Sequence, residues 1–167
     1  EIRADGARGA CIAWDPVAKQ ARWRVEHEGH WNGGTLSTAG GLVFHGLGNG
    51  VFRAYHDETG EVLWEVRSQT GIIAAPISYA LGDEQYVAVA TGWGGGSIAA
   101  GLNETTAIAN HHNVGRVLVW KLGAANPMPT NPPRDRTIPP PPVLEASAEQ
   151  VAAGKSVYDY NCLWCHG

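Results

Sequence analysis

The sequence predicts an all-β fold made of β-propeller blades, followed by a proline-rich linker and one helix of a second domain. Three observations carry this. A stretch recurs without gaps 41 residues later, each hairpin has a glycine-bearing turn, and the composition changes abruptly after Leu122. Gly9–Val25 (GACIAWDPVAKQARWRV) aligns with Gly50–Val66 (GVFRAYHDETGEVLWEV), pairing Gly9 with Gly50, Ala13 with Ala54, Trp14 with Tyr55 and Trp23 with Trp64. A third copy of the first half, GRVLVWKL, sets Gly115 against Gly9 and Trp120 against Trp14. Blade-sized periods with four short strands are the signature of a propeller. A β-sandwich also strings short strands together, but the gapless offset with both tryptophan positions in step favours the propeller.

Taken in order, each copy reads as strand, turn, strand. GVFRAY alternates and is rich in β-formers, HDETGE is a turn with Gly60 placed for a positive φ, and VLWEV returns. Before the second copy, TLSTAGGLVFHG gives another hairpin: Thr35 to Thr38, a Gly40-Gly41 turn, then Leu42 to His45. Before the third, APISYALGDEQYVAVATG turns at Gly82-Asp83 and continues as a strand from Gln85 to Thr91. The unit is thus four antiparallel strands in roughly 40 residues. About two and a half such units are present, and since propellers close with four to eight, more blades are expected upstream. The chain begins at Glu1 rather than Met, as a cut or processed start would.

Residues 1–122 therefore read as propeller blades. Residues 123–145 contain eight prolines, including Pro139–Pro142, which exclude a helix or central strand and predict an extended, semi-rigid spacer. Residues 146–167 open a new domain. Ser147 and Gln150 form a capping box, and helical spacing predicts a helix from about Ala148 to Tyr160.

That helix runs into Cys162-Leu-Trp-Cys165-His166, the C-x-x-C-H pattern of covalent haem attachment. Two thiols can each add to one haem vinyl group, and the adjacent histidine can reach the iron. A thioredoxin-like pair would open a helix after a strand, whereas this motif closes one. A zinc site needs four ligands and only three are local. Cys162 and Cys165 are thus the candidate haem thioethers, His166 is the candidate axial ligand, and the domain is the start of a cytochrome c. A second axial ligand is expected outside the sequence, because Met128, the sole methionine, lies in the spacer.

Composition excludes little else. The net charge of −4 and the lack of a basic run argue against a nucleic-acid partner, and no 18-residue apolar stretch could span a membrane. Cys11, far from the haem motif, reads as a small buried strand residue. Trp23 and Trp64 read as packing between blades, and His30 and His45 as hydrogen-bonded structural residues. His111 and His112 are adjacent, so they point apart, and no carboxylates accompany them as metal ligands would require. On a propeller, the connections Glu28–Gly34, Gly46–Gly50, Gly71–Ala75 and Gly92–Val114 share one face. The last, 23 residues long, is the kind of loop that carries function.

Repeats, spacer and C-x-x-C-H in this order resemble the pyrroloquinoline quinone-dependent quinohaemoprotein alcohol dehydrogenases. The family's blade motif A-x-D-x-x-T-G-x-x-x-W is met by Ala54, Thr59, Gly60 and Trp64, with His56 in place of the aspartate. The earlier copy keeps Ala13, Asp15 and Trp23, with Ala18 and Lys19 in place of Thr-Gly. WNGGTLSTAGGLVFHG, QYVAVATGWGGG and GRVLVWKLG look like the family too.

The resemblance implies that these are the last blades of an eight-bladed propeller cut inside its cytochrome c domain. The parent would be a periplasmic oxidoreductase with pyrroloquinoline quinone, Ca²⁺ and haem c. It would oxidise a small alcohol to the aldehyde and pass electrons to an external acceptor: a cytochrome, a copper protein or a quinone. The calcium ligands, the catalytic aspartate and a disulfide of adjacent cysteines are implied to lie in earlier blades, so no catalytic residue is assigned here. By the same resemblance Asn32, Gly94, Gly95 and Val114 would surround the quinone. The alternative, that these residues only shape the face, stands beside it, and Asn32 departs from the tryptophan that relatives without haem carry in this region. A non-enzymatic propeller–cytochrome for electron transfer or docking is the competing function. Calcium ligands and a base upstream would discriminate the two. The isolated chain is expected to be inactive.

Overall fold

The computed structural model describes residues 8–29, 31–93, 107, 110–135, 137–140, 143 and 145–163. They divide into two compact units, residues 1–134 and 135–167. In the first unit, β1 (Arg8–Asp15) and β2 (Gln20–Glu28) form an antiparallel hairpin. A four-stranded meander follows: β3 (Asn32–Ser37), β4 (Leu42–Leu47), β5 (Val51–His56) and β6 (Val62–Arg67). A third sheet pairs β7 (Ile77–Leu81), β8 (Glu84–Thr91) and β9 (Arg116–Lys121). The second unit holds one helix, α1 (Ala148–Asn161).

The sequence repeat is also a repeat of backbone geometry. In β1–β2, Ala13 pairs with Trp23 and Trp14 with Ala21, so the register slips by one residue at Arg22. In β5–β6, Ala54 pairs with Trp64 and Tyr55 with Val62, so the slip falls at Leu63, 41 residues on. The turns that follow the two equivalent strands match as well. Asp15 Oδ1 accepts from the amides of Val17 and Ala18, both at 2.9 Å. At the equivalent place His56 Nδ1 accepts from the amide of Glu58 at 3.2 Å. The ring nitrogen does what the carboxylate does, which explains why His56 can stand where the motif has aspartate.

Gly60 has φ 74° and Lys19 has φ 53°. Both copies thus need a left-handed residue here, and the first meets the need without glycine.

The tryptophans lock one sheet onto the next. Trp23 of β2 stacks 6.1 Å from Tyr55 and donates its indole N–H to the Asp57 carbonyl at 2.7 Å. Trp64 of β6 meets Trp120 of β9 edge-on at 5.7 Å. Tyr55 and Trp120 are the two residues that the repeat aligns with Trp14, so a ring at one end of each hairpin receives the tryptophan of the preceding one. The buried core between the second and third sheets is Phe52, Ile72 and Val89, with Phe44, Val66, Val87 and Trp120 against it. Cys11 is buried on β1 as expected, and burial pushes its thiol pKa up.

Several boundaries differ from the sequence reading, among them the end of β4, at Leu47 rather than His45, and the start of β8, at Glu84 rather than Gln85. β3 begins at Asn32 rather than Thr35, because Asn32 already pairs with Leu47 across a bulge at the Gly33-Gly34 pair. The helix ends one residue later, at Asn161. The proline-rich stretch does not leave the sheets at Leu122: the first unit extends to Arg134.

Candidate functional site

The connections that the sequence assigned to one face meet through hydrogen bonds. Gly48 N–H donates to the Trp31 carbonyl at 3.0 Å, and Ile72 N–H donates to the Leu47 carbonyl at 3.0 Å. Gly92 N–H donates to the Gly71 carbonyl at 2.8 Å, beside a parallel bridge between Ile72 and Gly92. The Trp93 amide donates to Asn113 Oδ1 at 3.0 Å, and the Thr70 hydroxyl donates to the Val114 carbonyl at 3.3 Å. A row of segments results, running from Asn32 through Leu47 and Thr70–Ile72 to Gly92 and Val114.

Asn32 and Val114, both half-buried, lie at the two ends of this row. Gly94 and Gly95 lie outside the described residues, as does His30. Gly46, Gly48 and Gly71 are required by close approach. A Cβ on Gly46 would fall 2.1 Å from the Ile72 side chain, and one on Gly71 would fall 2.1 Å from Trp93 Nε1. Trp93, which the sequence reading passed over, is the largest buried side chain on the face, and its indole N–H has no partner among the described residues. The signal for it was present: an aromatic residue between Gly92 and the glycine run that follows. A polar planar ligand on such a face would meet backbone carbonyls, amide side chains and close-lying glycines, which is a fitting environment for a quinone.

His45 and His27 are buried side by side in the first unit, with ring centres 5.6 Å apart. Burial pushes the His45 pKa down to about 4, and His27 beside it acts in the same direction. His27 is also lowered, again mainly by burial. Both are neutral packing residues. His111 and His112 serve through their backbones: His111 bridges Pro133, and His112 N–H donates to the Pro132 carbonyl at 3.1 Å.

The haem motif starts on α1. Ser147 caps the helix, accepting from the Gln150 amide at 3.3 Å while Gln150 accepts from the Ser147 amide at 2.9 Å. At the other end Cys162 is the C-cap, its amide donating to the Tyr158 carbonyl at 2.8 Å. Its thiol is free and half-exposed. Cys165 and His166 lie outside the described residues.

Comparison with known proteins follows the same lines. Residues 8–87 match the PQQ family, described as the glucose/ethanol/alcohol dehydrogenase beta-propeller domain. The quinohemoprotein alcohol dehydrogenase ADH IIB of Pseudomonas putida is 43% identical over 168 residues, covering 100% of this chain and 24% of that protein. The solved structure of ADHIIG from Pseudomonas putida HK5 superposes with a TM-score of 0.79 at 40% identity, over 96% of this chain and 23% of that one. The quinohemoprotein alcohol dehydrogenase of Comamonas testosteroni gives a TM-score of 0.70 at 39% identity, over 96% and 22%. The chain therefore spans about a quarter of the length of these relatives. The chain thus carries a propeller segment of the PQQ type and is similar over its whole length to a part of the quinohaemoprotein alcohol dehydrogenases.

Proposed function

We infer that the full-length protein is a periplasmic quinohaemoprotein alcohol dehydrogenase. It oxidises a small alcohol to the aldehyde and passes the electrons through haem c to an external cytochrome, copper protein or quinone. One observation carries the reading: a PQQ-type propeller segment and a capped helix running into C-x-x-C-H occur in a single chain that is 43% identical over its whole length to a quinohemoprotein alcohol dehydrogenase.

When bound, pyrroloquinoline quinone would supply a two-electron hydride acceptor and haem c a one-electron acceptor. This chain's residues would hold and shape. Asn32 and Val114 would line the quinone's surroundings from the two ends of the row, with Gly94 and Gly95 between them in sequence. Trp93 would keep water from the row by filling the space against Gly48 and Gly71. Cys162 and Cys165 would hold the haem as thioethers, and His166 would ligate its iron. The Ser147 cap would fix where the haem-bearing helix begins. Ca²⁺ is proposed with ligands in other blades; among the described residues no cluster of three His, Cys, Asp or Glu could hold a metal. No helix among them is long and apolar enough to cross a membrane.

The test is expression of the full-length protein with haem maturation, followed by loading with the quinone and Ca²⁺. Alcohol should bleach an artificial electron-acceptor dye, and haem should stay attached in a denaturing gel. Cys162→Ala should weaken covalent haem attachment while leaving alcohol-dependent dye reduction at the quinone. Haem attachment without any alcohol-dependent reduction would instead favour a propeller–cytochrome electron carrier.

A further inference from the structure

The proline-rich stretch has two legs with different physics. The first, residues 123–134, belongs to the propeller unit. Its hold is concentrated on Asn131, a buried polar residue in a segment of otherwise largely exposed ones. The Asn131 amide donates to Gln69 Oε1 at 2.7 Å. Its side-chain Nδ2 donates to the Thr70 hydroxyl, and at 3.4 Å to the carbonyls of Gln69 and His112. Its Oδ1 accepts from Arg116 Nη1. Three acceptors surround the nitrogen and a guanidinium faces the oxygen, so only an amide in this orientation satisfies the site. Pro132, Pro133 and Arg134 then run alongside Asn110–His112, with Arg134 N–H donating to the Asn110 carbonyl at 3.0 Å.

Two features go beyond a merely packed loop. Gln69 has φ 58°, a left-handed non-glycine residue held at some cost where it accepts from Asn131. Thr70 Oγ1 bonds both the Val114 carbonyl and Asn131 Nδ2. The anchor is therefore one hydroxyl away from the candidate quinone row.

We propose that Asn131 is a positioning residue for electron transfer, pinning the origin of the haem tether beside Val114. The proposal rests on the functional reading above. With the knot made, the spacer between the propeller unit and the Ser147 cap is residues 135–146, twelve residues; with it broken, it is residues 123–146, twenty-four. At ~3.1 Å per residue for a polyproline chain, the reach doubles from about 37 to about 74 Å. Effective concentration falls as the −3/2 power of length for a flexible tether, about threefold here, and about eightfold if the accessible volume scales with the cube of reach.

The test uses the full-length, quinone- and haem-loaded enzyme. Asn131→Asp keeps the shape and the Arg116 contact but sets a carboxylate oxygen against two carbonyls. Gln69→Gly removes one bond and relaxes the left-handed backbone, so it keeps the fold if Asn131→Asp does not. Stopped-flow absorbance follows quinone reduction by alcohol and haem reduction separately, and hydrogen exchange follows residues 123–134. Both variants should lose protection in that leg and slow haem reduction, by three- to eightfold for Asn131→Asp, with quinone reduction unchanged. Twelve Gly/Ser residues inserted after Thr137 should slow haem reduction similarly without unprotecting the leg. Haem reduction at the wild-type rate from an unprotected leg would overturn the proposal, as would a leg that stays protected in Asn131→Asp. If the unaltered enzyme reduces neither centre with alcohol, the functional reading fails and the electron-transfer role with it. The exchange result then still decides whether Asn131 anchors the leg.

Discussion

Lys19 and Gly60 occupy the same place in two copies of one turn, and both are left-handed. For lysine this conformation costs about 1 kcal/mol, so Lys19→Gly should raise stability by up to that amount, read as a higher denaturation midpoint. Gly60→Ala should do the reverse and by more, about 2–4 kcal/mol, because the new Cβ would fall 2.8 Å from the Trp23 ring as well as straining φ. His45 makes stability depend on pH. Its folded pKa of about 4 lies below the unfolded value of 6.5, so the unfolded chain takes the proton first. The stabilisation is complete above pH 6.5 and is lost as pH falls toward 4, by roughly 3 kcal/mol. Denaturant titrations at pH 7 and pH 4.5 should show that loss, and His45→Gln should flatten it. A slope unchanged in the variant would assign the pH dependence to other groups. His27, Arg53 and Tyr55 are titratable neighbours of the His45 ring.

At the scale of elements, the capping box is the feature on which the haem helix depends most visibly. None of its residues is buried among the described ones, so packing does not hold the helix in place of the cap. Ser147→Ala should cost about 1 kcal/mol of helix stability and lower the helical circular-dichroism signal of a haem-free preparation. This element was fully legible in sequence, because Ser147 and Gln150 act over three residues and need no distant partner. The strands were legible for the same reason, with Gly60, Gly41 and Gly82 marking turns that the structure places at positive φ. The proline-rich leg was not. Prolines predict extension equally well whether a segment is free or docked, and what docks this one is Asn131 meeting Gln69, 62 residues away in sequence. Trp93 was missed similarly. Its burial depends on Gly48 and Gly71, neither of which is local to it.

For the whole molecule, the decisive contacts pass between sheets rather than within them. Trp23 stacks on Tyr55 and Trp64 meets Trp120, so each sheet is fastened to the next by one indole in one repeated place. Trp23→Ala should cost about 3 kcal/mol, seen as a lower unfolding midpoint, and Trp23→Phe less, since it keeps the stacking and loses only the hydrogen bond to Asp57. The 41-residue step made this packing readable in advance, since residues that recur in phase on successive sheets face equivalent neighbours. The candidate quinone row was less readable, because it is assembled from four connections whose mutual bonds no local pattern announces. The repeated register slip, at Arg22 and again at Leu63, has a further consequence. Because side chains alternate across a strand, losing a paired residue of β2 or β6 would slip the register by one and turn the residues beyond it over, whereas Arg22 and Leu63 are the places where one residue can go and leave every other pair, tryptophans included, as it is. Gaining or losing a whole step of 41 would leave every ring facing its receiver. Such a chain can change its length by whole blades, or by one residue at the two bulges, far more safely than by a residue elsewhere in these strands.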